Sequence, residues 1–306
     1  MKYWILALTT VALAACGGAQ EATDDSTAAT TDAAETAAPA PTVDPNTERM
    51  AGVLAALPED SHAARYGARH PAETLAFFGI EPGMTVVEAL PGGGWYSQIL
   101  VPYLGREGKL IGVDYSLEMF PLFGFFSDEQ LEAKKSWTAS FIDGAQAWRG
   151  DDGALIDAFV FGSRDDRFDD QADAVLMIRA LHNLNRFETE GGFRTTALAD
   201  AFATLRSGGI LGIVQHRAAD DMSDEWADGS NGYLKQAAVI EAVEAAGFVF
   251  MAAEEINANP KDQPTTEDIV WRLPPSLATS REDETLRAAM REIGESDRMT
   301  LKFVKP

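Results

Sequence analysis

An apolar strand, three consecutive glycines and an amphipathic helix follow one another in Thr85-Val-Val-Glu-Ala-Leu-Pro-Gly-Gly-Gly-Trp-Tyr-Ser-Gln-Ile-Leu100. This order opens a nucleotide-type βαβ unit, because glycines let the backbone turn sharply and approach a ligand closely. Twenty residues after Gly94, the second strand Lys109-Leu-Ile-Gly-Val113 ends on Asp114. An acid there can bind ribose hydroxyls. The pairing selects a nucleoside cofactor over most other ligands. In that reading Gly92 and Gly94 admit the cofactor's carboxypropyl arm or sugar, and Glu88 fixes the loop. The plainer reading makes Pro91 to Gly94 a tight strand-to-helix turn. A dinucleotide fits less well, since Gly92-Gly-Gly94 lacks the G-x-G-x-x-G spacing.

Further along, apolar segments alternate with helical ones. Strands are expected near Ala158–Phe161, Ala174–Ile178, Ile210–Val214, Phe248–Ala252 and Met299–Val304. Helices are expected near Ser97–Leu104, Thr195–Leu205 and Val239–Ala246. Such alternation predicts an α/β sheet covered on both faces. Residues 115–157, rich in Phe and Trp, read as a less regular insertion. There is no internal repeat.

The N-terminal end reads differently. Lys2 is a short basic region, and Tyr3 to Leu13 is apolar but too short to span a bilayer. It ends at Leu13-Ala14-Ala15-Cys16, which resembles the bacterial lipobox, so residues 1–16 are expected to be a lipoprotein signal with Cys16 lipidated. Cys16 is the only cysteine, which excludes a disulfide within the chain. Gly17 rather than Asp follows it, which favours the outer membrane over the inner. Residues 17–47 are Ala, Thr, Asp, Glu and Pro with few large apolar side chains, a composition that cannot offset its ordering entropy. They read as a solvated tether, with the domain at 48–306. The chain carries 48 acids against 25 bases, a net charge of −23. That excludes nucleic acid and anionic lipid surfaces as partners, because both need clustered Lys and Arg.

The resemblance to a known family is specific. Leu205-Arg-Ser-Gly-Gly-Ile-Leu211 resembles the approach to the fifth strand of class I S-adenosylmethionine-dependent methyltransferases. Gly112-Val-Asp-Tyr-Ser116 resembles the end of their second strand. Residues 48–306 are similar to a bacterial group of exported methyltransferase-like lipoproteins, through Pro91-Gly-Gly-Gly-Trp-Tyr96, Gln215-His-Arg-Ala218, Glu255-Ile-Asn-Ala-Asn-Pro-Lys-Asp262 and Ile293-Gly-Glu-Ser-Asp-Arg-Met299. The resemblance implies a Rossmann-like, doubly wound seven-stranded sheet in the order 3-2-1-4-5-7-6. It implies S-adenosyl-L-methionine as cofactor, held by Glu88, Gly92, Gly93, Gly94, Trp95, Asp114 and Asp165. One departure stands out. The family's loop has Gly two residues after the acid, whereas here Leu90 is followed by Pro91, so a different loop path is expected.

In the implied order, strands four and five are neighbours, and their carboxyl ends carry His182-Asn183 and His216-Arg217. Ligands of open α/β sheets bind at that edge. Two of the four histidines therefore meet at the expected rim. His182, His216 and Asn183 are the candidate catalytic residues: a histidine there can take a proton from an acceptor during methyl transfer. Structural histidines bonded to backbone are the alternative, and a metal held by His182, His216 and Asp262 is a weaker one. Trp95 and Tyr96 either wall a pocket or pack under the insertion. Met119–Phe126 reads as lid or core. Asp165 and Asp166 are adenine contacts or a solvated acidic turn. Asn257–Asp262 is a turn or an acceptor loop. His62 and His70 precede the sheet without an evident partner. The function expected is an envelope-tethered methyltransferase acting on a small-molecule or envelope acceptor. A methyltransferase-fold binding or scaffold protein is the alternative.

Overall fold

The computed structural model describes residues 44–306. The signal, Cys16 and most of the tether lie outside the described residues. The first helix, Pro45–Ala56, is capped by the Asp44 side chain and begins three residues before position 48.

The sheet has eight strands: β1 (Thr85–Ala89), β2 (Lys109–Asp114), β3 (Leu155–Val160), β4 (Ala172–Ile178), β5 (Leu205–Ala218), β6 (Leu234–Lys235), β7 (Val249–Glu254) and β8 (Arg298–Val304). Their order is β3-β2-β1-β4-β5-β8-β7, with two-residue β6 attached to β5. β1 to β5 pair in parallel, and β8 runs antiparallel to both β5 and β7. With β6 set aside, this is the order that the resemblance implied. The fold is the doubly wound, Rossmann-like α/β sheet of the class I methyltransferase type. The chain winds outward from β1 through β2 to β3, then returns to the other side of β1 as β4. The switch point therefore lies between β1 and β4, where the strand ends leave a crevice.

Alternate strand residues feed opposite faces, as the two-residue period of a strand requires. Val87, Ile111, Val175, Ile213 and Leu301 enter one core, while Val86, Leu110, Ala174, Leu176 and Val214 enter the other. Burial on both sides explains why these strands read as nearly unbroken apolar runs. Close helix–sheet contact depends on Gly212, where an added Cβ would lie 2.7 Å from the Phe78 ring.

Two segments depart from the sequence expectation. Residues 115–157 are mainly helical, with helices at Asp128–Lys134 and Trp137–Arg149. The first carries a capping box, Ser127 to Gln130, which is a sequence-level helix start. β5 extends past Val214 through Gln215, His216 and Arg217, because each polar side chain finds a protein partner.

A candidate active site at the strand switch point

The chain leaves β1 in a left-handed turn, with φ of 56° at both Leu90 and Gly92 and 75° at Gly94. That region is unfavourable for leucine. It persists because the Leu90 amide donates to Val113 O at 2.7 Å and its side chain packs against the buried core. The Leu90-Pro91 departure thus produces a strained but fixed exit from the strand.

The three glycines serve different ends. A Cβ on Gly93 would meet nothing within 4 Å, and one on Gly92 would meet only Leu90 O at 4.0 Å. Both line an open cavity. A Cβ on Gly94 would lie 2.3 Å from Trp148 Cη2. Gly94, expected as a cofactor contact, is instead where the helix Trp137–Arg149 packs against the loop. Glu88 does not line the cavity either. It is buried and accepts from Ser97 Oγ at 2.5 Å and from the Ser97 amide, tying the strand end to the helix Ser97–Leu104. Burial pushes its carboxyl up to about 7, against the opposing effects of the Ser97 bonds and the Arg179 charge.

The cavity, about 580 Å³, is bounded by the ends of β1, β4 and β5 and by residues from 61–69, 270–276 and 295–296. His182 and His216 meet there with ring centroids 5.3 Å apart. Gln215 Oε1 accepts from both the His182 amide and His182 Nδ1 at 3.3 Å, while Gln215 Nε2 donates to Gly232 O at 3.0 Å. The amide orientation therefore puts the His182 proton on Nδ1 and leaves Nε2 as an acceptor. His216 Nδ1 is 2.6 Å from Ser296 Oγ. Burial pulls His182 down to about 4, and burial together with the neighbouring His182 and Arg179 holds His216 well below its ordinary value. Both shifts favour the neutral rings at physiological pH. The site desolvates the imidazoles and surrounds them with arginines, making them proton acceptors of low basicity.

Asn183 also lines the cavity, but its Nδ2 donates to Tyr115 Oη at 2.9 Å, which links the ends of β2 and β4. Trp95 is part of the wall: its indole donates to Ser61 O at 3.0 Å, stacks on His62, and lies under the Arg69 guanidinium. Asp114 closes β2 as expected, with its Oδ2 2.8 Å from Lys134 Nζ and its Oδ1 accepting from the Tyr115 amide. Asp165 lies apart from these groups on an exposed turn, where it caps Arg167 N. The plainer of its two readings describes that geometry.

Several lining residues carried no signal in the sequence. His62, Arg65 and Arg69 come from the segment before the sheet, and Trp271 and Pro274 from an irregular stretch near the C-terminal end. Arg179 had one: a charged residue directly after the apolar run of β4 and ahead of His182. The Asn257–Asp262 loop proves to be scaffolding. Asn257 Nδ2 donates to Thr74 and Thr300, Asn259 Nδ2 to the Ile293 and Glu295 carbonyls, and Asp262 pairs with Arg272 at 2.8 Å. Asp262 is thus committed to an arginine and is no partner for the histidines. Among the described residues, no group of three His, Cys, Asp or Glu side chains could hold a metal ion.

The geometry offers an adenosyl cofactor three features. Gly92 and Gly93 present open backbone. Ser116 Oγ, two residues past Asp114, is buried without a hydrogen-bond partner. The Asp114 carboxylate, buried and outside the residues that line the cavity, faces the partly exposed Lys134 rather than a buried arginine. These residues fit such a cofactor once Lys134 gives way.

No family model matches the chain, and no curated protein matches it by sequence. Solved structures do. The [4+2]-cyclase SpnF is 15% identical, with a TM-score of 0.47 over 78% of this chain and 81% of that one. A geranyl diphosphate methyltransferase in complex with SAM is 14% identical, with a TM-score of 0.43 over 84% and 90%. A SAM-dependent methyltransferase from Aquifex aeolicus is 18% identical, with a TM-score of 0.41 over 71% and 94%. Likeness at this level bears on neither activity nor ligand.

Proposed function

We propose that the chain is an S-adenosylmethionine-dependent methyltransferase whose acceptor binds in the switch-point cavity. The observation that carries this reading is the convergence of the His182 and His216 rings on a cavity walled by the open backbone of Gly92 and Gly93. When bound, the cofactor would supply a methyl group already activated by a sulfonium centre. The chain's own tasks are then to position the acceptor and receive its proton. His182 suits the second task, because Gln215 directs its unprotonated Nε2 away from the Nδ1 bond. Trp95 and Trp271 confine the acceptor, and the Leu90–Gly93 turn fixes the floor.

Calorimetric titration of the full-length protein with S-adenosylmethionine and S-adenosylhomocysteine tests the reading. Binding of both, lost in Asp114→Asn, is expected. One feature favours a second reading, a binding protein on a methyltransferase scaffold: Lys134 and Trp148 occupy positions beside Asp114 and Gly94. A well-folded protein that binds neither compound would establish that alternative. We further propose that a lipid on Cys16 tethers the domain to the bacterial envelope, in the outer membrane. Cys16→Ser is expected to release the protein into the soluble fraction, and retention in the membrane fraction would refute the anchor.

A further inference from the structure

Arg65 and Arg179 both line the cavity, and among the described residues neither guanidinium has a hydrogen-bond or ion-pair partner. Arg179 Nε is sealed from solvent in that state. Scarcity of acids does not explain this in a chain with a net charge of −23. Elsewhere the same fold pairs Arg167 with Asp157, Arg206 with Asp173, Arg217 with Asp297 and Arg272 with Asp262. The one carboxylate in the cavity wall, Glu295, is already committed: Arg69 Nε lies 3.0 Å and 3.1 Å from its two oxygens, and Arg298 Nη1 lies 3.2 Å from one of them. The cavity therefore has an excess of positive charge inside a strongly acidic protein.

A desolvated guanidinium without a partner is costly and is retained where a ligand supplies the partner. The backbone agrees. Arg179 has a φ of 59°, an unfavourable conformation for a long side chain, and its amide donates to Val214 O at 2.6 Å. That bond pins the residue to β5 beside the histidines. Strain of this kind collects at ligand sites.

We propose that the cavity recognises its small-molecule ligand through a carboxylate or phosphate group that docks on Arg179, with Arg65 as a second contact and the ligand's apolar body against Trp95 and Trp271. The assignment rests on the methyl-transfer reading only in naming this ligand as the acceptor; the anion site itself stands without it. Planar guanidinium groups suit both anions, since each offers paired oxygens. Trp95 and Trp271 supply the flat apolar surface, and Trp271 also meets His182 edge to face at 5.9 Å. An anion on Arg179 thus holds the remainder of the ligand within reach of the two imidazoles.

The test uses the full-length protein and three probes of one shape: benzoate, phenyl phosphate and neutral benzyl alcohol. Tryptophan fluorescence follows binding, and S-adenosylhomocysteine is titrated in parallel by calorimetry. At least one anion should bind 10-fold or more tightly than the alcohol, and the tighter of the two identifies the preferred group. Arg179→Met should abolish that preference, and Arg65→Gln should weaken it. Arg179→Met should also melt no lower than the wild type, since it removes an unpaired guanidinium whose Nε is sealed from solvent. Equal binding of all three probes, or an anion preference that survives in Arg179→Met, would overturn the proposal. So would a large fall in melting temperature, which would give Arg179 a structural role. Anion binding without S-adenosylhomocysteine binding keeps the anion site and removes the methyl-transfer reading. S-adenosylhomocysteine binding that depends on Arg179, with no anion binding, assigns the arginine to the cofactor and overturns the proposal.

Discussion

Lys134 Nζ lies 2.8 Å from Asp114 Oδ2, so the acid that ends β2 is held by the chain's own cation. The lysine also sits over the Phe120 ring at 4.4 Å. Its side chain is 26% exposed, which places the pair in the class of partly screened ion pairs worth about 0–1 kcal/mol. Ribose hydroxyls reaching Asp114 must displace this bond. Lys134→Met should therefore tighten S-adenosylhomocysteine binding by up to about fivefold, the equivalent of about 1 kcal/mol. Its melting temperature should change little. Calorimetry on the variant decides the matter: weaker binding would mean that Lys134 itself holds the ligand.

The glycine turn makes a sharper separation. Gly94→Ala drives a methyl into Trp148 and forces a φ of 75° on alanine, so it should destabilise the fold by about 2–4 kcal/mol. Gly93 has no positive φ, and its Cβ direction is empty. Gly93→Ala should leave the urea midpoint within error while reducing cofactor affinity, because the methyl projects into the cavity lined by Gly93. Equal destabilisation by the two substitutions would show that Gly93 is also a packing position.

Why one glycine could be read from the sequence and another could not illustrates how much of the site was legible. The strand order, and with it the meeting of His182 with His216, was what the resemblance implied; the individual elements followed from local patterns: apolar strands, turn glycines and polar residues at strand ends. Those patterns reflect backbone geometry, which is local. The partners that modify the site are distant in sequence. Trp148 and Lys134 come from a segment read as irregular, although the Ser127–Gln130 capping box marked a helix start. Arg69 meets Glu295 across 226 residues, and no periodicity connects such positions. Asp165 shows the ambiguity of a local signal, since an acid after β3 is equally a cofactor contact or a turn cap, and the structure shows it capping Arg167 N. Desolvation is also invisible in sequence, so the neutral state of the two histidines emerged only with burial.

Two buried groups should give stability opposite dependences on pH. Glu88 is raised to about 7 from an ordinary value of 4.5, so the folded state holds its proton more tightly. Its contribution is fully present below pH 4.5 and is lost as pH rises through 7, a change of about 3 kcal/mol. His182 is lowered to about 4 from 6.5, so the unfolded state binds the proton more tightly. Stability is then lost as pH falls from 6.5 toward 4, again by about 3 kcal/mol. The two trends offset each other in the wild type. Glu88→Gln should expose the histidine term, with urea stability falling as the solution is acidified. His216 is lowered by burial as well, so the opposite slope, with greater stability at pH 5 than at pH 8, should emerge in the double variant His182→Asn/His216→Asn. Parallel pH profiles for the two variants would refute this account.

The tautomer of His182 depends on a single side chain. Gln215 is fully buried, and its Nε2 is tied to Gly232 O, so its Oε1 can only face His182 as an acceptor. Gln215→Leu keeps the volume but removes that acceptor, leaving the His182 amide unpaired at a cost of about 1–3 kcal/mol. Without the acceptor, nothing favours a proton on Nδ1, and the ring should populate both neutral forms. Nitrogen-15 NMR of labelled histidine reads this directly and needs no substrate. Wild-type protein should show one nitrogen protonated and the other bare at neutral pH, while the variant should show averaged signals. Gln215→Glu, whose neutral acid form can donate to Gly232 O and accept from His182 Nδ1, should restore the single tautomer. If Gln215→Leu leaves the wild-type pattern intact, the proton on His182 is fixed by another group and Gln215 serves only the packing of β5.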